Sequence, residues 1–330
     1  MFNSLKTAAL ALGVAAAGLA LPGQGHAADW KMATGYPDSS YLTETVKGFI
    51  ADISASTDGG ISVTLHNNQS LVKLQDIPNA VRRNQVALGQ VYTANLGNQN
   101  AMFTLDAIPF LAPDSESAMK LWEAQKPYFE EWFARQNMRV LFPAFFPPQG
   151  FYTDAQVATK ADLEGLSLRI YSDSTQRMAQ LLGAKPLQVQ FGEVPQAFAT
   201  GLVNAMFTSP QTGIDVQAWD FTSNYNMVGA MRTKLIVVVN EDEFQKLSDA
   251  EKQAVLEAAE RARIAGMELG NKVSEEQLAT LEEKGITVTH ASDAFTTELE
   301  EIGKVMVGEW REKADEKQRE VLDAYLASRN

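Results

Sequence analysis

The sequence predicts an α/β protein of two domains with a largely helical C-terminal part. Strand and helix patterns alternate along most of the chain, and this alternation favours layers of helices on sheets whose strands pair mainly in parallel. The 330 residues are enough for two domains. A strand–helix–strand unit also occurs twice, so we expect one copy in each domain.

Hydrophobic periodicity defines the elements of the first half. A helix over 41–56 places Leu42, Val46 and Phe49 on one face, and the β-branched strand 61–66 follows a glycine-rich turn. The predicted elements of this half are strand 29–35, helix 41–56, strand 61–66, helix 115–136 and strand 138–143.

The second half continues with short elements and ends in long helices. Residues 234–240 (KLIVVVN) are largely apolar, which is typical of a strand in the middle of a sheet that is covered on both faces. The predicted elements here are strand 165–172, helix 174–182, strand 186–190, strand 234–240 and, from about residue 249, helices interrupted by strand 286–290.

Two segments of the chain resemble each other when they are aligned without gaps. One begins at Asp76 and the other at Glu193, and each has a proline two residues later, in the first helical turn where a missing N–H costs nothing. Each short helix leads into a buried strand, with Val86 and Val203 at the same position. We therefore expect two similar units that face one another. The alternative is that any two βαβ units look alike.

Ligands of open α/β sheets bind beyond the carboxyl ends of the strands, and clefts between domains are favoured pockets. This rule predicts that one cleft is lined from both sides. The residues that it nominates are Tyr92, Thr93, Asn95, Arg169, Tyr171, Phe207 and Thr208.

Arg169 interrupts a segment that otherwise has the pattern of a core strand. In residues 165–172 (GLSLRIYS), Leu168 and Ile170 alternate with Arg169 and Tyr171, so a strand points the two pairs to opposite faces. One interpretation is an edge strand with a solvated face. The other is that Arg169 lines the cleft, where its planar guanidinium would bind a carboxylate through two parallel hydrogen bonds.

Aromatic residues are concentrated near the predicted connection between the domains. Residues 142–152 (FPAFFPPQGFY) hold five aromatic residues and three prolines, and the prolines stiffen the segment. A guanidinium amid aromatic walls suits an organic acid with an apolar body. The predicted wall residues are Phe146, Tyr152, Phe207 and Trp219, and the predicted hydrogen-bonding residues are Tyr36, Tyr92, Asn95 and Thr208.

Residues 1–27 have the pattern of a secretory signal peptide. Lys6 precedes an apolar stretch, and Gly25, His26 and Ala27 form a small-x-small cleavage site. The stretch is too short and too rich in alanine for a transmembrane helix, and no second stretch of membrane length follows. We expect a soluble periplasmic chain that begins at residue 28 and does not insert into the membrane.

Composition argues against several classes of function. The net charge of −13 argues against nucleic acids and anionic membranes as partners, because both need a basic field. The lack of cysteine excludes disulfides and thiol nucleophiles. His66 and His290 have no partner at metal-ligand spacing, and the zinc, phosphate, dinucleotide and G-x-S-x-G motifs do not occur. We therefore predict no enzyme activity, no cofactor and no metal.

Three ordered motifs surround Arg169. Residues 162–166 with Arg169 match the pattern D-L-K-G-L-K-I-R-V, residues 182–186 match L-G-A-x-P, and residues 193–201 match E-V-Y-x-A-L-x-T-G. Residues 108–111 (IPFL) resemble a further L-P-F-L motif. Nearly the whole chain after residue 27 resembles the substrate-binding proteins of TRAP (tripartite ATP-independent periplasmic) transporters, the DctP-like family.

This resemblance implies a periplasmic binding protein fold with a ligand cleft between two α/β domains. Domain I would comprise residues 28–150 plus about 235–274, and domain II residues 151–234 plus about 275–330. The domains would close over a small organic acid, whose carboxylate Arg169 would bind, and the protein would hand that acid to the membrane permease subunits of the transporter.

Two departures from the family pattern bear on the ligand. Many members carry a second arginine in a G-x-R segment where this chain has Gly150-Phe151-Tyr152, and Thr208 replaces a frequent ligand-contacting asparagine. Both changes remove polar contacts, so we expect a monocarboxylate with an aromatic or otherwise apolar body. The alternatives are a C4-dicarboxylate or sugar acid, an exported carboxylate-processing enzyme on the same fold, or delivery to a sensor kinase or a different transporter.

Overall fold

The computed structural model describes residues 28–329, and the predicted signal peptide lies outside the described residues. The strands in chain order are β1 (Ala28–Ala33), β2 (Ile61–His66), β3 (Leu88–Tyr92), β4 (Met138–Phe145), β5 (Gly150–Thr153), β6 (Ser167–Ile170), β7 (Lys185–Gln188), β8 (Ala205–Thr208), β9 (Asn224–Met227), β10 (Lys234–Asn240) and β11 (Thr287–His290). The helices are α1 (Tyr41–Ser56), α2 (Ile77–Arg82), α3 (Ser115–Ala134), α4 (Asp173–Leu181), α5 (Val194–Ala199), α6 (Pro210–Asp215), α7 (Glu241–Gln245), α8 (Asp249–Glu283), α9 (Asp293–Lys313) and α10 (Glu316–Ser328).

The strands form two sheets, which confirms the predicted α/β architecture. The order is β2-β1-β3-β10-β4 in the first sheet and β11-β9-β5-β8-β6-β7 in the second. Among the described residues five of the nine strand pairs are parallel. Both sheets are nevertheless mixed, because β10 runs antiparallel to β3 and β4, and β5 runs antiparallel to β8 and β9. The chain enters β5 from the first sheet and β10 from the second sheet. These two strands therefore run away from the junction between the sheets, whereas their neighbours run toward it.

Two strand assignments made from sequence have clear outcomes. β10 lies between β3 and β4 with all seven residues buried, as its apolar sequence predicted. β6, which carries Arg169, lies between β8 and β7 and is therefore not an edge strand. The interpretation of Arg169 as an ion on a solvated edge is wrong.

The repeated unit is visible in both sheets. α2 and α5 each have six residues, follow one turn of 3-10 helix and lead toward β3 and β8, respectively. Asp76 and Glu193 occupy the N-cap positions as predicted, although neither side chain caps its helix. Both strands point their carboxyl ends at the junction between the sheets, and this places Tyr92 and Thr208 there.

The chain passes between the two sheets through residues 146–149, residues 228–233 and α8. The first two segments are hydrogen-bonded to each other, from Phe146 N to the Thr233 carbonyl (2.8 Å) and from Gly229 N to the Gln149 carbonyl (2.9 Å). The first sheet uses residues 28–145 and 234–240, and the second uses 150–227 and 287–290. The exact domain boundaries stay a prediction.

The C-terminal helix returns to the first sheet's side of the molecule. α10 packs against α3, where Gln318 Nε2 donates to the Tyr128 hydroxyl (3.0 Å), and the Tyr325 hydroxyl donates to the Leu111 carbonyl (2.6 Å). None of the helices between residues 28 and 329 is both long and apolar enough to cross a membrane.

Candidate ligand-binding site

A small cavity lies at the junction of the two sheets and the crossing segments. Its volume is about 30 Å³. The lining residues are Tyr36, Leu74, Tyr92, Asn95, Phe146, Gln149, Arg169, Tyr171, Gln190, Phe191, Thr208, Thr212 and Thr233. The cavity is therefore bounded by aromatic rings, threonine hydroxyls, amides and a single cation.

Arg169 is the cation, and it is 3 % exposed. Its Nε donates to the Val189 carbonyl (3.0 Å), and its Cζ lies 5.1 Å from the centre of the Tyr171 ring. In the part of the chain that the structure describes, no carboxylate lies within ion-pair distance of Arg169 and no acceptor is bonded to Nη1 or Nη2. Both terminal amino groups are thus free to bind an anion in the cavity.

The unpaired charge has an energetic consequence. Burial lowers the pKa of Arg169, and the neighbouring tyrosines Tyr171, Tyr92 and Tyr36 act in the opposite direction. Guanidinium nevertheless keeps its proton in proteins, so the site holds a full positive charge. A buried charge without a partner is destabilising by several kcal/mol. An anion that enters the cavity offsets this cost.

Local structure fixes the side chains that follow Arg169. β6 ends at Ile170, and the Ser172 and Thr175 side chains form a capping box that starts α4. Thr175 Oγ1 also accepts from the Tyr171 N–H (3.1 Å). Only Tyr171 and the N-cap residue Ser172 separate the end of β6 from the start of α4. This short connection holds Tyr171 beside the guanidinium of Arg169.

Five aromatic rings form a wall around the cavity. Tyr36 lies 5.6 Å from Phe146 and 5.3 Å from Phe191, and Tyr92 lies 5.7 Å from Phe146 and 5.8 Å from Tyr171, between ring centres. Burial raises the pKa of the three tyrosines, so their hydroxyls stay protonated at neutral pH. The wall is apolar on its ring faces and offers neutral hydroxyls at its edges.

A hydrogen-bond network joins this wall to the crossing segments. The Tyr171 hydroxyl donates to Gln149 Oε1 (2.6 Å), and Gln149 Nε2 donates to Thr233 Oγ1 (2.9 Å). The Tyr92 hydroxyl donates to the same Thr233 oxygen at 3.3 Å. Residues from both sheets and from both crossing segments are therefore coupled through one buried chain of polar contacts.

A buried ion pair lies next to this hydrogen-bond network, on the side away from the cavity. Lys234 Nζ lies 3.0 Å from Asp106 Oδ2 and donates to Gln125 Oε1 at 2.8 Å. Burial lowers the pKa of Lys234, and Asp106 opposes that shift. The Thr93 hydroxyl donates to the Lys234 carbonyl (2.9 Å), which ties the turn after β3 to β10.

Seven of the eleven residues nominated from sequence line this cavity: Tyr36, Tyr92, Asn95, Phe146, Arg169, Tyr171 and Thr208. The other four do not line it. The Thr93 hydroxyl donates to the Lys234 carbonyl instead, and the expected wall residues Tyr152, Phe207 and Trp219 lie elsewhere. Phe207 points to the opposite face of β8 from Thr208 and contacts Phe151, with ring centres 4.7 Å apart. The reason is the alternation of side chains along a strand.

Tyr152 and Trp219 are also separated from the cavity. Tyr152 packs against Tyr225 (4.4 Å between ring centres), and α6 covers it so closely that a Cβ on Gly213 would lie 2.0 Å from its hydroxyl. Trp219 belongs to a separate hydrophobic cluster, where Lys284 Nζ lies 5.5 Å from the centre of its ring.

Six lining residues were not nominated from sequence: Leu74, Gln149, Gln190, Phe191, Thr212 and Thr233. Gln149 and Thr233 stand out because they lie in the crossing segments. The sequence contains some indication of both residues. Gln149 is a polar residue between two prolines and a strand, and Thr233 directly precedes the apolar strand β10. Among residues 28–329, no group of three or more His, Cys, Asp or Glu side chains is arranged to hold a metal ion.

Comparison with known proteins gives a family for the chain. Residues 32–313 match the profile of DctP, bacterial extracellular solute-binding protein, family 7. A solute-binding protein of Chromohalobacter salexigens is 21% identical over 284 residues, which cover 83% of each chain. The predicted resemblance to the substrate-binding proteins of TRAP transporters is confirmed.

Two solved structures resemble this chain over nearly their whole length. DctP7, a Bordetella pertussis extracytoplasmic solute receptor binding pyroglutamic acid, is 37% identical and superimposes with a TM-score of 0.88 over 91% of this chain and 99% of its own. A TRAP solute-binding protein from a marine metagenome, specific for pyroglutamate, is 30% identical, with a TM-score of 0.87 over 92% and 99%.

Proposed function

Because this chain belongs to family 7 of the bacterial extracellular solute-binding proteins, the substrate-binding proteins of TRAP transporters, we propose that it captures a compact organic monocarboxylate. The observation that carries the proposal is the buried guanidinium of Arg169, whose two terminal amino groups face the cavity without a partner. A carboxylate matches this planar fork with two charge-assisted hydrogen bonds.

The lining of the cavity favours a small ring. It holds one cation, which suits one carboxylate. The rings of Tyr36, Tyr92, Phe146 and Phe191 provide flat apolar surfaces for the body of the ligand. A ring of five atoms with a single carboxylate satisfies both conditions.

We take pyroglutamate, a five-membered lactam with one carboxylate, as the first candidate. Two relatives, 37% and 30% identical to this chain, bind pyroglutamate. The apolar body expected from the sequence corresponds in this proposal to a small ring, and an aromatic acid becomes the less favoured ligand.

The proposal includes the place and the recipient of the ligand. The chain would be exported by the signal peptide of residues 1–27, act in the periplasm and deliver its ligand unchanged to the membrane permease subunits of a TRAP transporter. Closure of the two sheets over the acid would come from bending at residues 146–149 and 228–233, the hydrogen-bonded segments that connect them.

A thermal-shift screen with L-pyroglutamate, succinate and D-glucuronate tests the proposal. A ligand at 100 times its dissociation constant adds about 2.7 kcal/mol of stability, and we expect this only for pyroglutamate. Arg169→Ala should lower the affinity about 100-fold or more. Arg83→Ala, which removes an exposed arginine, is the matched control and should bind as the wild type does. Equal binding by Arg169→Ala and the wild type would disprove the anchor.

A further inference from the structure

Asn95 supplies an unsatisfied hydrogen-bond donor among the residues that line the cavity. Its Nδ2 is buried and has no hydrogen-bond partner among the described residues, although the residue lines the cavity. A buried amide N–H without an acceptor is destabilising. A ligand acceptor placed beside this N–H would remove the cost.

Thr233 presents a second donor. Its Oγ1 accepts hydrogen bonds from the Tyr92 hydroxyl (3.3 Å) and from Gln149 Nε2 (2.9 Å). A hydroxyl oxygen has two lone pairs and one hydrogen, so both lone pairs are used and the hydrogen remains to be donated. Thr233 lines the cavity, where a ligand oxygen is the available acceptor.

Two acceptors of the cavity are already occupied. Gln149 Oε1 accepts from the Tyr171 hydroxyl (2.6 Å), and Thr212 Oγ1 accepts from Ser209 Oγ (3.2 Å). A ligand carbonyl is an acceptor only, so it can be paired by the donors of Asn95 and Thr233 without competing for these oxygens.

We infer that Asn95 is a specificity-determining residue, which donates from Nδ2 to a carbonyl oxygen on the ring of the ligand. The inference rests on the proposed function, since it assumes that Arg169 binds the carboxylate of the same molecule. Together the two residues select a carboxylate that carries a ring carbonyl. Hydrocarbon carboxylates lack the acceptor.

The turn that carries Asn95 is fixed by contacts to neighbouring residues. A specificity-determining donor must be held in one position. Asn95 lies in the single 3-10 turn Thr93–Leu96 that follows β3. The Thr93 hydroxyl donates to the Lys234 carbonyl (2.9 Å), and Lys234 is fixed by its buried ion pair with Asp106. The donor is thereby held by β10 and by residues behind the cavity.

Three carboxylates of one size separate this inference from the proposed function. L-pyroglutamate carries a ring carbonyl and an N–H, 5-oxotetrahydrofuran-2-carboxylate carries a ring carbonyl only, and cyclopentanecarboxylate carries neither. Calorimetric titration of the wild type should give similar affinities for the first two acids and an affinity about 10- to 100-fold lower for the third, since a site built to hydrogen-bond a group rejects analogues that lack it.

Two variants complete the test. Asn95→Ala and the similarly sized Asn95→Leu should lower the affinity for both carbonyl-bearing acids about 10-fold or more and leave that for cyclopentanecarboxylate unchanged. Asn98→Ala, at an exposed amide three residues further along the chain, should have no effect. Circular dichroism and the unliganded melting temperature verify that each variant is folded.

The possible results are distinct. Equal wild-type affinity for all three acids, or an equal loss for all three in both Asn95 variants, would overturn the inference while leaving a carboxylate site intact. A wild type that binds pyroglutamate but not the lactone would also overturn it, because the ligand N–H and not the carbonyl would then be read. Failure of all three acids to bind would defeat the proposed function itself.

Discussion

The hydroxyl of Tyr171 donates a 2.6 Å hydrogen bond to Oε1 of Gln149. Tyr171 follows the strand that carries Arg169 and places its ring beside the guanidinium, whereas Gln149 belongs to a segment that crosses between the sheets. This contact links the residue proposed to bind the carboxylate to the segment proposed to bend. Ligand binding and closure would therefore be coupled through one side chain.

Removal of this hydroxyl tests the coupling. We expect Tyr171→Phe to fold normally and to bind pyroglutamate about 10-fold more weakly, because a buried acceptor of Gln149 loses its donor. Calorimetric titration measures the effect. Tyr128→Phe is the control, since Tyr128 bonds Asn100 and Gln318 away from the cavity. An unchanged affinity in Tyr171→Phe would show that the contact is only structural.

Replacement of the unpaired cation should separate binding from stability. Arg169→Met keeps a long side chain and removes a buried charge that has no partner, so we expect the unliganded variant to be more stable than the wild type by on the order of 1 kcal/mol. The same variant should not be stabilised by pyroglutamate. Urea unfolding with and without the acid measures both quantities. A marked loss of stability in the absence of ligand would contradict the description of Arg169 as unsatisfied.

A buried carboxyl near the cavity predicts a pH dependence of stability. Burial raises the pKa of Asp215 to about 7, while the hydrogen bond from Gln211 opposes the shift. Asp215 Oδ2 has no partner among the described residues, and Oδ1 accepts from Gln211 Nε2 at 2.7 Å. Between about pH 4 and pH 7 the unfolded chain ionises at this position while the folded chain keeps the proton. The contribution of Asp215 to stability is therefore present at low pH and is lost as the pH rises toward 7.

The neutral variant Asp215→Asn should not lose this contribution to folding stability as the pH rises. Relative to the wild type, we expect it to gain on the order of 3 kcal/mol of unfolding free energy between pH 4 and pH 8. Urea unfolding at several pH values gives the difference directly. Asp154→Asn, at an exposed aspartate, should show no such trend. A constant difference between Asp215→Asn and the wild type across this range would mean that the carboxyl is already ionised in the folded state at pH 4.

The ion pair behind the cavity should be essential for folding stability. Lys234→Met leaves Asp106 buried and unpaired, and such changes cost about 3–5 kcal/mol. The double variant Lys234→Met/Asp106→Leu removes both charges and should recover most of the loss, as judged by urea unfolding. If the double variant were as unstable as the single one, the loss would come from packing and not from the uncompensated charge.

The sequence was most informative where chemistry and periodicity agreed. Arg169 was identifiable because alternation in GLSLRIYS places it on one face with Tyr171, opposite Leu168 and Ile170, and both nominated residues do line the cavity. The same alternation excludes Phe207 once Thr208 is assigned to the cavity, since consecutive strand residues point to opposite faces. That error was avoidable from the pattern alone.

Other features depend on tertiary contacts that no local pattern encodes. Tyr152 lies on the cavity side of its sheet, but α6 covers it, and this requires the close approach of Gly213. Gln149 and Thr233 enter the site because two distant crossing segments are hydrogen-bonded to each other. The mixed direction of the strands likewise follows from where the chain leaves and re-enters each sheet.

A crystal structure of the protein with L-pyroglutamate would test the central claim most directly. We predict that both carboxylate oxygens lie about 2.7–2.9 Å from nitrogen atoms of the Arg169 guanidinium, with the ring among Tyr36, Tyr92 and Phe146. A ligand whose carboxylate binds elsewhere, leaving Arg169 unpaired, would contradict the claim.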